Sequence, residues 1–278
     1  MSREIEGAVT AHYTHGNLET ALLAELAKVG FDLDALTAGD LAPIDEFHIG
    51  GIEASKALVR HLPDGPGCRL LDIGCGIGGP ARFFAERLDC DVVGIDLTPE
   101  FIAVAEALTA RVGLGDRVSF KTASALDLPF NDAAFDCATL IHVGMNIADK
   151  HALFAEAARV LRPGASFVVY DVMRLAAGAL AFPLPWSSLP ETSFVASPED
   201  YRRALEGVGF EVKAEQARGQ EGKDFFRRQR ARAEAGELGP SLAPIMGEAF
   251  QTKIANMYGL VNDDILAPVE MIAIRSGR

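Results

Sequence analysis

Between Cys68 and Asp171, short β-rich apolar runs alternate with segments whose apolar positions recur at helical spacing. That alternation is how a parallel sheet with helices on both faces is written in sequence. It predicts strands near 68–73, 91–96, 117–121, 135–141 and 165–171, with helices near 80–89, 99–112 and 149–161. The helices carry start or stop signals: Pro80 suits a first turn, Thr98-Pro99-Glu100 reads as an N-cap with proline behind it, and Arg162-Pro163-Gly164 stops the third. Ahead of this core, Leu18, Leu22, Leu23, Leu26 and Val29 predict one amphipathic helix within 7–30, ending at Gly30. A polar loop and a helix over Glu53–His61 follow. After Asp171 come a proline-rich stretch (175–198), a helix over Ser197–Gly207, a strand near 209–216, two helices within 222–258, one basic and one apolar, and a last strand over Pro268–Ile274. The pattern thus predicts seven strands and no repeat.

Composition narrows the classes. The chain has 278 residues, 49% apolar and 23% charged, which suits a globular fold and excludes a low-complexity or fibrous one. A formal charge of −13 repels phosphodiester backbones, so the expected partner is a small molecule and not a nucleic acid. The longest uncharged run, Leu175–Pro190, is short for a membrane span and holds three prolines. Met1-Ser-Arg-Glu-Ile-Glu6 lacks the features of a secretory signal, and Cys68, Cys75, Cys90 and Cys137 form no CxxC pair, so reduced cysteines in a cytoplasmic protein are expected.

The richest segment is Leu70-Leu-Asp-Ile-Gly-Cys-Gly-Ile-Gly-Gly-Pro80, a strand running through glycines into a helix. It satisfies G-x-G-x-x-G through Gly74, Gly76 and Gly79, and D-x-G-x-G-x-G through Asp72, Gly74, Gly76 and Gly78. Both patterns let a ligand approach backbone at the strand's carboxyl end. They differ in charge: a pyrophosphate wants bare amides, whereas the carboxylate of Asp72 suits a ligand carrying a cationic amine or sulfonium. Asp96, closing the next strand, can accept both hydroxyls of a ribose under either reading. An ordinary alternative for both acids is helix capping or solvation at a strand end.

These residues resemble the class I S-adenosylmethionine-dependent methyltransferases. Ala123-Ser-Ala-Leu-Asp-Leu-Pro-Phe130 is similar to the family's segment after the third core strand, where a side chain and backbone amides meet adenine. Phe135-Asp-Cys-Ala-Thr-Leu-Ile-His142 is similar to the fourth strand, whose end faces the methyl group, and Leu161-Arg-Pro-Gly-Ala165 to the turn entering the fifth. Asp45-Glu-Phe-His-Ile-Gly-Gly51, His142–Lys150 and Phe182–Trp186 resemble a small-molecule branch that includes sarcosine and dimethylglycine N-methyltransferases and is similar to ubiquinone and tocopherol C-methyltransferases. The resemblance covers residues 40–215 and hardly touches 216–266. It departs at Ser124, which stands where the family most often has an acid on the adenine amine, so this contact would lean on a hydroxyl and the amides of Ala125 and Leu126.

The resemblance implies an α/β fold with a Rossmann-like seven-stranded methyltransferase sheet, the last strand antiparallel. One domain is expected: an N-terminal helical lid (1–62), a cofactor-binding core (63–171), and a C-terminal half (172–278) carrying substrate-cap insertions at 172–197 and 217–266. It implies S-adenosylmethionine as cofactor, S-adenosylhomocysteine as product, and methyl transfer to a small molecule, foremost at an amine nitrogen. O- or C-methylation of a hydrophobic acceptor is the alternative, and an NAD-linked oxidoreductase or a catalytically silent binding module are rivals of other classes.

Methyl transfer from a sulfonium asks for alignment, exclusion of water and, for some acceptors, a base; it needs no metal. The catalytic candidate is His142, at the end of the fourth strand, set against a structural histidine there. Cofactor candidates are Tyr13, His48, Gly50, Asp72, Gly74, Gly76, Gly78, Asp96, Leu97, Ser124, Ala125, Leu126 and Ile141. Acceptor candidates are Met145, Asn146, Phe182, Trp186 and Tyr258, each with core packing as the plainer reading. His12 with His15, and His142 with His151, have histidine spacing alone to suggest a metal, and no Cys or carboxylate set completes them, so no metal is expected. The run Lys223–Arg232 is basic, and its arginines spread around a helix, so a solvated face competes with binding of an acceptor carboxylate or phosphate. A homodimer is left open.

Overall fold

In a computed structural model of the chain, which describes residues 3–237, 239–247 and 249–277, seven strands form one sheet among the described residues. They are β1 (Arg69–Ile73), β2 (Asp91–Asp96), β3 (Val118–Thr122), β4 (Phe135–Ile141), β5 (Leu161–Arg174), β6 (Phe210–Ala217) and β7 (Leu266–Arg275), in the spatial order β3-β2-β1-β4-β5-β7-β6. All pairings are parallel except those of β7, which runs antiparallel to both β5 and β6. The predicted strands hold, with β5 longer at both ends than its apolar run.

The period of two along each strand sorts side chains between two cores. Leu71, Ile73, Ala138, Leu140, Phe167 and Val169 face one apolar layer. Leu70, Val92, Cys137, Val168 and Tyr170 face the other. β3 and β6 are the two edges, and on β6 the charged Glu211, Lys213 and Glu215 discourage pairing with another chain. The four cysteines are free thiols, and no described helix is long and apolar enough to cross a membrane.

The helices nearest the carboxyl end of the sheet shape the site. The single helix expected within 7–30 is two, α1 (Arg3–Tyr13) and α2 (Leu18–Lys28). The break comes at Gly16, whose φ of 87° lies in the left-handed region. It is held by Glu100, whose carboxylate accepts from the backbone N–H of His15 (2.5 Å) and of Leu18 (3.1 Å). α3 (Ala38–Asp45) occupies the expected polar loop; Thr37 and Asp40 form a reciprocal capping box at its start, a signal that Pro43 inside the short segment obscures. α4 (Ile52–Leu58) continues as one 3-10 turn to His61.

The core helices α5 (Gly79–Leu88), α6 (Pro99–Arg111) and α7 (Lys150–Val160) follow their predicted spans closely, as does α8 (Pro198–Gly207). The insertion between β6 and β7 holds α9 (Gly219–Glu234), the short α10 (Ala243–Met246) and α11 (Phe250–Asn262). α1 is tied to both insertions: His12 Nε2 lies 3.0 Å from the carbonyl of Pro185, and His15 Nε2 lies 2.8 Å from that of Ile245. The two histidines thus serve as fasteners, and among the described residues no group of three or more His, Cys, Asp or Glu is placed to hold a metal.

Candidate active site

A cavity of about 1310 Å³ opens at the carboxyl ends of β1, β2 and β4, where a doubly wound sheet presents its loops. Its walls draw on every part of the chain: Tyr13 from α1, His48 and Gly50 from the lead-in loop, the β1 turn, Trp186 from the first insertion and Tyr258 from the second. Gly74, Leu97, Ala125, Leu126, Ile141, Met145 and Asn146 also line it, so seventeen of the predicted site positions, with Asp72, Gly76, Asp96, Ser124 and His142, meet in one space.

Gly78 does not line the cavity, and this corrects the expectation that all the motif glycines make way for a ligand. It begins α5 in the left-handed region, and a Cβ there would sit 2.6 Å from the Phe120 ring. Gly79 is bound by the same constraint, since its Cβ would meet the Asp45 carbonyl oxygen at 2.3 Å. Gly76 differs: at φ 55° a Cβ would meet nothing within 4 Å, so its missing side chain leaves room in the cavity itself. Phe182 also stays outside, packed against the apolar cluster beneath the second insertion.

The floor is acidic. Asp72 is buried; its Oδ1 accepts from Thr139 Oγ1 at 2.7 Å, while Oδ2 has no partner among the described residues. Burial pushes its carboxyl up to about 7, with Asp96 adding to the rise and Thr139 opposing it. Asp96 accepts from the Gly76 N–H (3.1 Å) and the Thr98 N–H (2.8 Å), and so fixes the glycine turn; burial raises its carboxyl too. Glu46, on the lead-in loop, accepts from Ser55 at 2.6 Å and is pushed up to about 8, chiefly by burial and then by Asp45. Two buried acids, Asp72 and Glu46, a half-buried third and one unmatched oxygen favour a ligand that brings positive charge.

Above this floor sits an aromatic group. His142 stacks on Tyr170 (centroids 5.4 Å apart) and meets His48 edge-on at 5.8 Å. His48 Nε2 donates to the Gly51 carbonyl at 3.0 Å, so its ring both fixes the loop and borders the cavity; burial pushes it down to about 4. His142 Nε2 is buried with no partner among the described residues. Burial, with His48 nearby, holds His142 well below the ordinary imidazole range, so it stands neutral. Its backbone is left-handed (φ 54°), and its N–H donates to the Tyr170 carbonyl. Asn146 Oδ1 is likewise unpartnered among the described residues. Two buried polar atoms without partners among the described residues therefore belong to residues that border the cavity.

The sequence reading missed Glu46 and Glu6. Glu46 was legible only as part of a motif, and Glu6, which reaches Ser124 Oγ at 2.7 Å, has no local signal at all. In the basic run Arg227 pairs with Asp224, Arg230 with Glu234 (2.7 Å) and Arg232 with Glu237 (3.3 Å), while Arg228, Arg230 and Arg232 also border the cavity.

An all-parallel dinucleotide sheet has no place for β7 antiparallel between β5 and β6, and Asp72 is the wrong charge for a pyrophosphate. Residues 71–169 match the family model described as a methyltransferase domain. Over that segment the chain is similar to methyltransferases. Its relatives include ajmaline N-methyltransferase of Rauvolfia serpentina, 37% identical over 143 residues, an alignment that covers 47% of this chain and 48% of that protein. The chain spans about half or less of the length of the first curated relatives it matches. Two solved structures share the whole fold: geranyl diphosphate methyltransferase (TM-score 0.73, 20% identity, 98% of this chain and 99% of that one) and the cyclase SpnF (TM-score 0.68, 24% identity, 98% and 97%).

Proposed function

We propose that the chain binds S-adenosylmethionine and transfers its methyl group to a small molecule, foremost at an amine nitrogen, leaving S-adenosylhomocysteine. The observation that carries this is the unpartnered Oδ2 of Asp72, buried beside Asp96 on an acidic floor. S-adenosylmethionine supplies an electrophilic methyl on a sulfonium. Asp72 would hold its cationic amine end, Asp96 its ribose hydroxyls, Gly76 would admit its backbone-contacting edge, and Ser124, Ala125 and Leu126 would border its base. Tyr13, Val9 and Trp186 would exclude water.

An amine entering this acidic space as a cation must shed a proton before its lone pair can attack. His142 Nε2, unpartnered and on a neutral ring, would take it in the tautomer that carries its hydrogen on Nδ1, and Asn146 Oδ1 would orient the remaining N–H. The same base favours the second reading, an acceptor hydroxyl or activated carbon. The lid (1–62) and the insertions (172–197, 217–266) would choose the acceptor, since each contributes wall residues. The −13 charge supports a small molecule over a nucleic acid, and four free cysteines support a reducing, cytoplasmic setting.

The test is calorimetry with S-adenosylhomocysteine followed by label transfer from S-adenosylmethionine across a panel of amines, phenols and prenyl compounds. Binding of NADH with no affinity for S-adenosylhomocysteine would overturn the reading. Asp72 adds a pH signature. Burial pushes its carboxyl up to about 7, and a cationic ligand would favour the ionised form and lower that value. Affinity for S-adenosylhomocysteine should therefore be flat above pH 8 and fall by up to about tenfold per unit below about 7. Titrations in two buffers of different ionisation enthalpy near pH 7 should detect the released proton. Asp96→Asn removes the charge and leaves one acceptor oxygen for the N–H groups of Gly76 and Thr98, and should weaken binding by about 10- to 100-fold in the same assay.

A further inference from the structure

Helix α1 turns Glu6, Val9 and Tyr13 toward the cavity, positions that share one helical face and span roughly 10 Å. The helix therefore lies along the cavity, and its two polar members meet opposite ends of it. Tyr13 OH accepts from Asn146 Nδ2 (3.4 Å) beyond β4. Glu6 Oε1 accepts from Ser124 Oγ (2.7 Å) in the loop after β3, the strand beside Asp96. The Ser124 hydroxyl hydrogen is thus committed to Glu6, and its oxygen already accepts from the Leu126 N–H at 3.1 Å. What this end of the cavity offers a ligand donor is consequently a carboxylate, and it comes from the helix and not from the sheet.

We propose that Glu6 is the residue that reads the exocyclic amine of the nucleoside base, with Ser124 holding its carboxylate in place. The proposal rests on the nucleoside reading above and deepens it. A carboxylate only accepts, so it rewards a base with an N–H at that edge and repels one with a carbonyl oxygen there. Adenine has the amine; hypoxanthine has the carbonyl. Because Glu6 sits on α1, selection of the base and seating of the helix over the cavity become one event.

Calorimetry on the full chain tests this with two probes, S-adenosylhomocysteine and its inosine counterpart, which differ in that one group. The wild type should prefer the adenine form by about tenfold or more. Glu6→Gln, whose amide can either donate or accept, should bring the two affinities within about threefold of each other. Glu6→Ala should do the same without the amide. Asp96→Asn, acting at the ribose, should weaken both probes alike and leave the preference standing. Tight binding with a wild-type preference in both Glu6 variants, or with no preference in the wild type, would overturn the role of Glu6 and leave the nucleoside reading intact. Failure of the wild type to bind either probe would overturn both.

Discussion

Arg82→Met should lower the free energy of unfolding by about 3–5 kcal/mol, the cost of stranding one half of a buried ion pair. Arg82 is 1% exposed and donates to Asp45 Oδ2 (2.7 Å), the Ile77 carbonyl (2.8 Å), Thr109 Oγ1 (2.9 Å) and the Ala105 carbonyl (3.3 Å). It thereby joins α3, the glycine turn, α5 and α6 at one point. Methionine fills similar space but leaves the Asp45 carboxylate buried without a counter-charge. Gly79 lies too close to the Asp45 backbone for the loop to rearrange cheaply. Urea denaturation checks the figure, and a loss under about 1 kcal/mol would mean that the pair contributes little. Asp45→Leu in the same background should recover part of the loss, since the two residues act as a unit. S-adenosylhomocysteine affinity should fall too, because Glu46 and His48 follow directly from Asp45 in the cavity wall.

His142→Asn should lower turnover about 10²- to 10⁴-fold while changing S-adenosylhomocysteine affinity less than about threefold. Asparagine is the informative substitution because it tolerates the left-handed backbone at this position and can hydrogen-bond, yet cannot take a proton. The acceptor found by label transfer supplies the rate assay, and titration of the product supplies the affinity. Equal losses in both would assign His142 to holding Tyr170 and the strand end. A proton-taking histidine also predicts that wild-type turnover at saturating substrates shows no drop in the ordinary imidazole range, since burial holds His142 well below it.

The core and much of the site were legible because their signals are local. Leu70–Pro80 fixes a strand, a turn and a helix within a few residues of one another, and Asp96 is found by counting along the next strand. Where a residue's job depends on what lies across from it, the sequence is silent. Gly78 looks like Gly76 in the motif, yet one clears the Phe120 ring and the other the cavity. The two-helix entry was hidden because its break depends on Glu100, a residue of α6 far along the chain. Glu6 shows the limit most clearly: the departure at Ser124 could be seen, and the carboxylate standing beside it could not.

The joint at Gly16 gives α1 a distinct thermodynamic status. An eleven-residue helix is marginal by itself in water, and among its described residues only Val9 is deeply buried. α2, by contrast, buries Leu18, Leu22 and Leu26 against the core, and the carboxylate of Glu100 ends that cooperative unit at His15. The order of α1 therefore rests on what it meets outside itself: Pro185 through His12, Asn146 through Tyr13 and Ser124 through Glu6. A ligand that packs against Tyr13 or meets Glu6 should slow hydrogen exchange in α1 more than in α2. Two ligands that both do so would then favour each other's binding without touching.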